Sequence, residues 1–262
     1  AKQQTPLAQL QEQIAHQAST KDFQQALANK IDQKQAAVIA EIKQASPSKG
    51  LLTNNFDPVK LAIDYSAAGA SCISVLTDVQ YFRGDSAYIK QVKQVSKLPV
   101  LRKDFIVDTY QVYQSRHIGA DAILLIAAIL DKRQLHEYNV LAHQLGLAVL
   151  VEVHNLAELQ LALELDGAII VSTPQEIALQ DVKRGIRMFD KLKVNIIGLI
   201  DNMSHFIGDD GKKYAIFGEN GVERTAKEFE KKFLGQIPIN ADVGKYGDMG
   251  IPIVEKDPDH EI

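Results

Sequence analysis

The chain has 262 residues, 46% of them hydrophobic and 24% charged, which is typical of a globular protein and excludes a disordered or fibrous one. The net charge is −4 and neither half is basic, which argues against a nucleic-acid partner. The single cysteine, Cys72, allows neither an internal disulfide nor a Cys-x-x-Cys metal site. No apolar run is long enough to cross a bilayer and no basic leader opens the chain, so we expect a cytoplasmic protein without a membrane partner.

Residues 1–36 form a distinct first segment that is rich in glutamine and alanine. Apolar side chains at Leu7, Leu10 and Ile14 recur at helical spacing, and Phe23 and Leu27 repeat the pattern. This segment is predicted to form two helices that lie over a larger body. An arm that binds a partner is the alternative.

From residue 37 onward, short apolar runs alternate with amphipathic stretches of helical length. The predicted strands are 37–42, 72–76, 99–101, 121–126, 147–153, 167–172, 195–200 and 233–239. Continuous apolar strands separated by helices indicate a parallel sheet that is buried on both faces. Eight such units predict an α/β fold of the (βα)8 TIM-barrel type, and an open doubly wound sheet is the alternative.

The domain organisation follows from this rhythm. We predict five β-α units over 37–166, three more over 167–239, and an extended tail over 240–262, where glycine and proline replace the helical period. If the eight strands do not close, a partial barrel and a smaller three-stranded unit would remain. Such a partial barrel would leave strand edges open, and oligomerisation would then be expected.

Charged residues stand at the carboxyl ends of several predicted strands, where parallel α/β folds place their functional groups. Glu41 and Lys43 end the first strand, Lys103 ends the third, and Glu152 ends the fifth. Converging carboxylates and ammonium groups suit acid–base chemistry. A structural ion-pair network is the alternative interpretation.

Four segments resemble the indole-3-glycerol-phosphate synthase family in order and spacing. They are VIAEIKQASPSKGLL at 38–52, SVLTDVQYFRGD at 74–85, LPVLRKDFIVDTYQVYQSRHIGADAILLIAAIL at 98–130, and LGLAVLVEVHNLAELQLALEL at 145–165. The resemblance covers about residues 20–165. It implies a TIM barrel, a tryptophan-biosynthesis lyase and a small phosphorylated substrate, whose ring closes to an indole with loss of CO₂ and water.

The roles of individual residues are implied by the same resemblance. Lys103 matches the general acid for ring closure, Glu152 the general base, and Glu41 a catalytic residue that orients reacting groups. The substrate-binding positions of the family fall on Lys43 for a carboxylate, Ser46 for the phosphate and Phe82 for the aromatic ring. No metal or other cofactor is implied.

Near Gly167 the chain departs from that family. The strand-six INNRDL-like segment, the strand-seven SESG-like segment and the glycine-bearing strand eight, which hold the substrate and its phosphate, are all missing. In their place, residues 166–259 resemble the C-terminal part of Mrp/ApbC-type iron–sulfur carriers, which are P-loop ATPases. Asn202, in DNM, matches a nucleotide-binding position that recognises adenine, although a turn-forming asparagine is the alternative.

The second resemblance is incomplete as well. No Gly-x-x-x-x-Gly-Lys-Ser/Thr loop occurs in the sequence, and no cysteine pair is present to hold a cluster. Asp201 would also bring a negative charge to the end of strand seven, where a phosphate should bind. The chain thus resembles a hybrid of five and three β-α units. We expect an impaired synthase, with an inactive chimeric scaffold or a nucleotide- or partner-binding fragment as the alternatives.

Overall fold

The computed structural model describes residues 5–33, 35, 37–47, 50–53, 55–162, 167–191, 193–208 and 210–239. They divide into two compact units, the first ending at Ala162 and the second running from Gly167 to Ile239. The predicted tail at 240–262 lies outside the described residues. No helix in the described ranges combines the length and the apolar character that a membrane span requires.

The first unit contains helices and strands close to the predicted positions. Its helices are α1 (Leu7–Ala15), α2 (Phe23–Asp32), α3 (Pro58–Ala67), α4 (Val79–Phe82), α5 (Ala87–Val95), α6 (Thr109–His117), α7 (Lys132–Gln144) and α8 (Leu156–Leu161). Its strands are β1 (Ile39–Ile42), β2 (Ala45–Ser46), β3 (Gly50–Leu51), β4 (Cys72–Leu76), β5 (Val100–Lys103), β6 (Ala122–Ile126) and β7 (Ala148–Glu152). Aspartate side chains cap several helices, as Asp57 does for α3 and Asp131 for α7.

Five strands of this unit form one parallel sheet in the order β1-β4-β5-β6-β7. Each strand pairs with the next strand of its β-α series, which is the TIM-barrel-like order, and the predicted α/β class is confirmed. Strand β4, which pairs with β1 on one side and β5 on the other, is buried along its whole length because both of its faces are covered. The short β2–β3 hairpin in the loop after β1 was not predicted, because two-residue strands have no apolar period.

The two faces of the five-stranded sheet carry different side chains. On the outer face, Ile73, Val75 and Ile123 join the core formed with helices α3, α5, α6 and α7. On the inner face, Cys72 and Leu124 pack with Phe23 of α2. Cys72 is fully buried, as a core residue would be, and burial and the charge of Asp121 raise the pKa of its thiol to about 12.

The second unit is a smaller α/β structure. Its elements are β8 (Ala168–Ser172), α9 (Glu176–Lys191), β9 (Ile196–Ile207), β10 (Lys213–Tyr214), α10 (Gly221–Glu228) and β11 (Phe233–Ile239). Strands β8 and β11 both pair in parallel with β9. The short strand β10 pairs antiparallel with the carboxyl end of β9. Within the described residues the strands thus pair as two main sheets rather than as one eight-stranded ring.

Candidate active site

The carboxylate of Glu41 lies between two lysines at the carboxyl end of the five-stranded sheet. Lys43 Nζ is 2.7 Å from Glu41 Oε1, and Lys103 Nζ is 2.7 Å from Glu41 Oε2. Each side chain is about one-third exposed, so the cluster is open to a ligand. Residues 62 positions apart in the chain therefore meet at the strand ends, as parallel pairing requires.

The two lysines set the charge state of Glu41. Burial acts to raise the pKa of this carboxyl, but the hydrogen bonds from Lys103 and Lys43 outweigh burial, and the pKa lies below its ordinary value. Glu41 is therefore ionised at neutral pH. The backbone carbonyl of the same residue accepts a hydrogen bond from the Tyr65 hydroxyl at 3.2 Å, which ties the strand end to α3.

A buried polar network holds the end of β5, where Lys103 lies. The Arg102 side chain is buried and donates to Asp104 Oδ2 from Nε at 3.1 Å and from Nη2 at 2.8 Å. Thr77 Oγ1 donates to the same oxygen at 2.6 Å, and Thr77 N donates to the Lys103 carbonyl at 3.1 Å. These contacts fix the backbone on both sides of Lys103 and so limit where its ammonium group can lie.

Phe82 ends the short helix α4 that follows β4, and its ring belongs to an aromatic group that includes Phe105 from the loop after β5. Its ring centroid is 6.1 Å from that of Phe105, and the Tyr81 ring packs edge-on to Phe105 at 5.9 Å. The chain turns sharply just after Phe82, and Gly84 permits this because a Cβ there would lie 2.7 Å from the Leu76 carbonyl carbon. The loop can therefore present a half-buried apolar wall.

Glu152 ends β7, and its register partner is Ile126 of β6. Alternate residues of a strand share one face, so Glu152 lies on the same face of β7 as Ala148, which packs with the inner-face cluster. Glu152 Oε1 is 3.2 Å from His154 Nε2, and His154 Nδ1 is 3.1 Å from Glu158 Oε2. The part played by Glu158 was missed because nothing in the sequence pattern links a helix start to the preceding strand end.

The remaining predicted site residues are Ser46 and Asn202. Ser46 lies in the β2–β3 hairpin, half-buried and paired with Gly50. Asn202 lies inside β9 with Ile237 as its register partner, so the alternative of a turn-forming asparagine is wrong. The sequence suggested that β9 ends near residue 200, but pairing with β10 and β11 extends it to Ile207.

Asp201 does not present its charge to a ligand. Its side chain is completely buried in β9, which contradicts the expectation that it faces a phosphate. Burial, together with the charge of Glu223, raises the pKa of Asp201 to about 6. Within the described ranges, no group of His, Cys, Asp and Glu has the geometry to hold a metal ion.

Known proteins resemble the two parts of the chain separately. The family model for indole-3-glycerol phosphate synthase matches residues 1–172, and the model for the NUBPL iron-transfer P-loop NTPase matches residues 154–262. The indole-3-glycerol phosphate synthase of Paracidovorax citrulli is 52% identical over 169 residues, which are 63% of this chain and 64% of that protein. That of Variovorax paradoxus is 50% identical over 174 residues, 65% of each chain.

The chain therefore spans just under two thirds of the length of these curated relatives. Among solved structures, a chain of the tryptophan synthase complex of Pyrococcus furiosus aligns over 84% of this chain and 95% of its own length. Its identity is 13% and its TM-score 0.46, values too low to support an inference. Because the synthase model covers more than half of the sequence and includes every residue of the Glu41 cluster, the chain belongs to the indole-3-glycerol phosphate synthase family.

Proposed function

We propose that the chain carries the carbon–carbon lyase chemistry of indole-3-glycerol phosphate synthesis at the carboxyl end of its five-stranded sheet. The substrate would be a small phosphorylated compound, an anthranilate-derived ribulose phosphate. The observation that carries this proposal is the pairing of Lys103 and Lys43 with one carboxylate, Glu41, at 2.7 Å each. Opposite charges held together at an open strand end suit acid–base catalysis better than they suit folding stability.

The proposed reaction needs one proton donor and one proton acceptor. Ring closure with loss of CO₂ turns the ketone oxygen of the substrate into a hydroxyl group, and that group then leaves as water. Both steps need a proton, and Lys103 is the proposed donor. Restoring the aromatic ring removes a proton from carbon, and Glu152 is the proposed base. A positioned acid or base typically contributes 10²–10⁴ in rate. Glu41 would orient the Lys103 ammonium group through their hydrogen bond.

Three further residues would bind the substrate. Lys43 offers an ammonium group to the anthranilate carboxylate, and Ser46 offers a hydroxyl group to the phosphate. Phe82 offers an apolar surface to the aromatic ring, supported by its contact with Phe105. All three follow the carboxyl ends of β1 and β4. Lys103 and Glu152 stand at the carboxyl ends of β5 and β7, which belong to the same parallel sheet.

We further propose that turnover is impaired. The phosphate of substrates in such barrels is bound mainly by backbone N–H groups after strands seven and eight. The sequence lacks the family segments that supply those groups. Because remote phosphate binding helps to position the reacting ring, its loss lowers kcat as well as raising KM.

Steady-state turnover of the ribulose-phosphate substrate, followed by the fluorescence of the indole product, tests the proposal. We expect slow but measurable product formation that Lys103→Gln and Glu152→Gln each reduce by at least about 100-fold. Lys132→Gln, in an exposed lysine of α7, is the matched control and should turn over like the parent chain. Equal rates in all four proteins would reject the assignment.

The match of residues 154–262 to an iron-transfer P-loop NTPase favours a second candidate, a nucleotide- or partner-binding fragment. Asn202 would be its adenine contact. The absent phosphate-binding loop argues against tight binding, because nothing else in the sequence supplies that cradle of backbone N–H groups. An ATP titration of the parent chain and of Asn202→Ala separates the candidates, since only a nucleotide site would show saturable binding that the substitution weakens.

An inactive chimeric scaffold is the third candidate. A scaffold with an open sheet edge is expected to associate with a second copy of itself. In the described residues β7 pairs with β6 alone, and Leu150 in its centre is 40% exposed. An apolar strand with one open edge favours pairing with a second copy. We propose a concentration-dependent dimer, which sedimentation velocity would detect. A monomer at every concentration would contradict it.

A further inference from the structure

The environment of Glu152 points to two residues that act on it. We propose that His154 and Glu158 form a relay with Glu152, in which Glu158 orients the His154 ring and His154 carries the proton taken up by Glu152 to solvent. This inference rests on the proposed function, because it concerns the residue assigned there as the general base. It adds two residues that the family resemblance did not assign.

The start of α8 fixes one end of the relay. Asn155 caps the helix by accepting a hydrogen bond from Glu158 N at 2.9 Å, and its Nδ2 donates to Glu158 Oε1 at 2.6 Å. The other oxygen of Glu158 accepts the backbone N–H of His154 at 2.7 Å. These contacts lower the pKa of Glu158, mainly through the backbone hydrogen bond from His154. Glu158 is therefore an ionised and well-positioned acceptor.

The imidazole ring of His154 joins Glu158 to Glu152. Its Nδ1 is 3.1 Å from Glu158 Oε2, and its Nε2 is 3.2 Å from Glu152 Oε1. A neutral ring that donates from Nδ1 to Glu158 presents the lone pair of Nε2 to Glu152. The tautomer is thus selected by Glu158, in the way that a carboxylate partner orients a histidine in hydrolase triads.

The proton balance of this arrangement is simple. Glu152 takes a proton from the ring carbon of the substrate, and the C–H bonding pair remains in the substrate to restore aromaticity. The new O–H group on Glu152 passes the proton to Nε2, which regenerates the carboxylate and leaves an imidazolium ion between two carboxylates. The side chain of His154 is 57% exposed, so this proton is then released to water.

NMR of the unliganded protein tests the contacts of the His154 ring without any need for activity. In long-range ¹H–¹⁵N spectra of the ring nitrogens, we expect Glu152→Gln to move the Nε2 resonance of His154 and Glu158→Gln to move its Nδ1 resonance. The ring of His143, exposed on α7, is the internal control and should not respond. If neither substitution moves a His154 resonance, the relay is rejected.

Kinetics then test whether the relay acts in turnover. We expect His154→Ala to lower kcat by about 100-fold with little change in KM, and added imidazole to restore part of the loss. A purely structural role would give no rescue, and His143→Ala should match the parent chain. Unchanged kcat in His154→Ala, alongside a large loss in Glu152→Gln, rejects the relay while the proposed function stands. If Glu152→Gln has no effect on turnover, the proposed function fails, and the NMR spectra alone decide whether the His154 ring contacts Glu152 and Glu158.

Discussion

Asp121 in the first unit and Asp201 in the second are both buried, but their surroundings differ. Asp121 accepts hydrogen bonds from Lys93 Nζ at 2.5 and 2.7 Å, and from the backbone N–H groups of Lys21 and Val100 at 2.8 Å. The side-chain carboxylate of Asp201 has no hydrogen-bond partner among the described residues. A buried charge needs such partners to offset its loss of hydration. The first unit satisfies this condition and the second does not.

The sheets of the two units also differ in how completely their apolar side chains are buried. Strands β4, β5 and β6 bury nearly all of their apolar side chains, whereas Ile169 and Val171 of β8 are 41% and 56% exposed. Parallel sheets usually have both faces covered. In the described residues, strands β4, β5 and β6 of the synthase-like part are covered on both faces, while the carrier-like part leaves a buried carboxylate without a partner and apolar side chains of β8 exposed.

The largest expected change in the free energy of unfolding comes from removing the buried carboxylate of Asp121. Asp121→Ala removes the acceptor for Lys93 and for two backbone N–H groups, and should lower the free energy of unfolding of the first unit by about 3 kcal/mol. Hydrogen exchange followed by mass spectrometry should show faster exchange in β4–β7. Asp181→Asn, which removes an exposed ion pair with Arg184, is the control and should change stability by less than about 1 kcal/mol.

Asp201→Asn should raise the free energy of unfolding rather than lower it, by an amount between those expected for Asp121→Ala and for the glycine substitutions described below. The folded-state pKa of Asp201, about 6, lies above its ordinary 3.8, so the ionised carboxylate destabilises the folded unit at pH 7. Replacing it should stabilise the second unit by about 1–3 kcal/mol at that pH. The parent chain should itself gain stability as the pH falls from 7 toward 4, and the advantage of the variant should shrink.

Hydrogen exchange of the β9 amides measures this effect, and we expect slower exchange in Asp201→Asn than in the parent chain at pH 7. A variant that exchanges faster than the parent chain at pH 7 would show that the carboxylate has a stabilising partner. An advantage that stays constant between pH 4 and pH 7 would show that the group does not titrate in that range.

Substitutions of two glycines are expected to give the smallest changes in the free energy of unfolding. Gly84→Ala should cost about 1–2 kcal/mol, because its Cβ would meet the backbone of Leu76 and Thr77 beside the Phe82 loop. Gly185→Ala, inside α9, has open space around the new Cβ and should stabilise its unit by about 1 kcal/mol through helix propensity. Thermal unfolding of both variants against the parent chain measures the pair. Equal shifts in the same direction would contradict the close approach at Gly84.

Much of the fold could be predicted from local sequence patterns. The apolar runs at 72–76, 121–126 and 233–239 are found as β4, β6 and β11 with little or no change in their bounds. Aspartates are typical helix N-caps, and those directly before α3 and α7 in the sequence cap these helices through their side chains. The β2–β3 hairpin and the extension of β9 were not predictable, because both depend on pairing with another strand rather than on periodicity.

The sequence led to a prediction of the site residues, which stays a prediction, but not of their contacts. Charged residues that follow apolar strands identified Glu41, Lys103 and Glu152, because a buried strand rarely ends in a charge without a partner or a function. That one carboxylate binds both Lys43 and Lys103 depends on the register of β1, β4 and β5. The contacts of the His154 ring with Glu158 and Glu152 depend on the path of the chain from β7 into α8.

The sequence by itself determined the α/β class, the positions of most strands, the buried Cys72 and the identity of the residues at the strand ends. These follow from short-range periodicity and from the chemistry of single side chains. Only the tertiary structure decided how the strands divide between two sheets, which residue compensates each charge, and that Asp201 is buried without a partner. Such features depend on residues that are distant in the chain and meet only in the folded protein, so no local pattern records them.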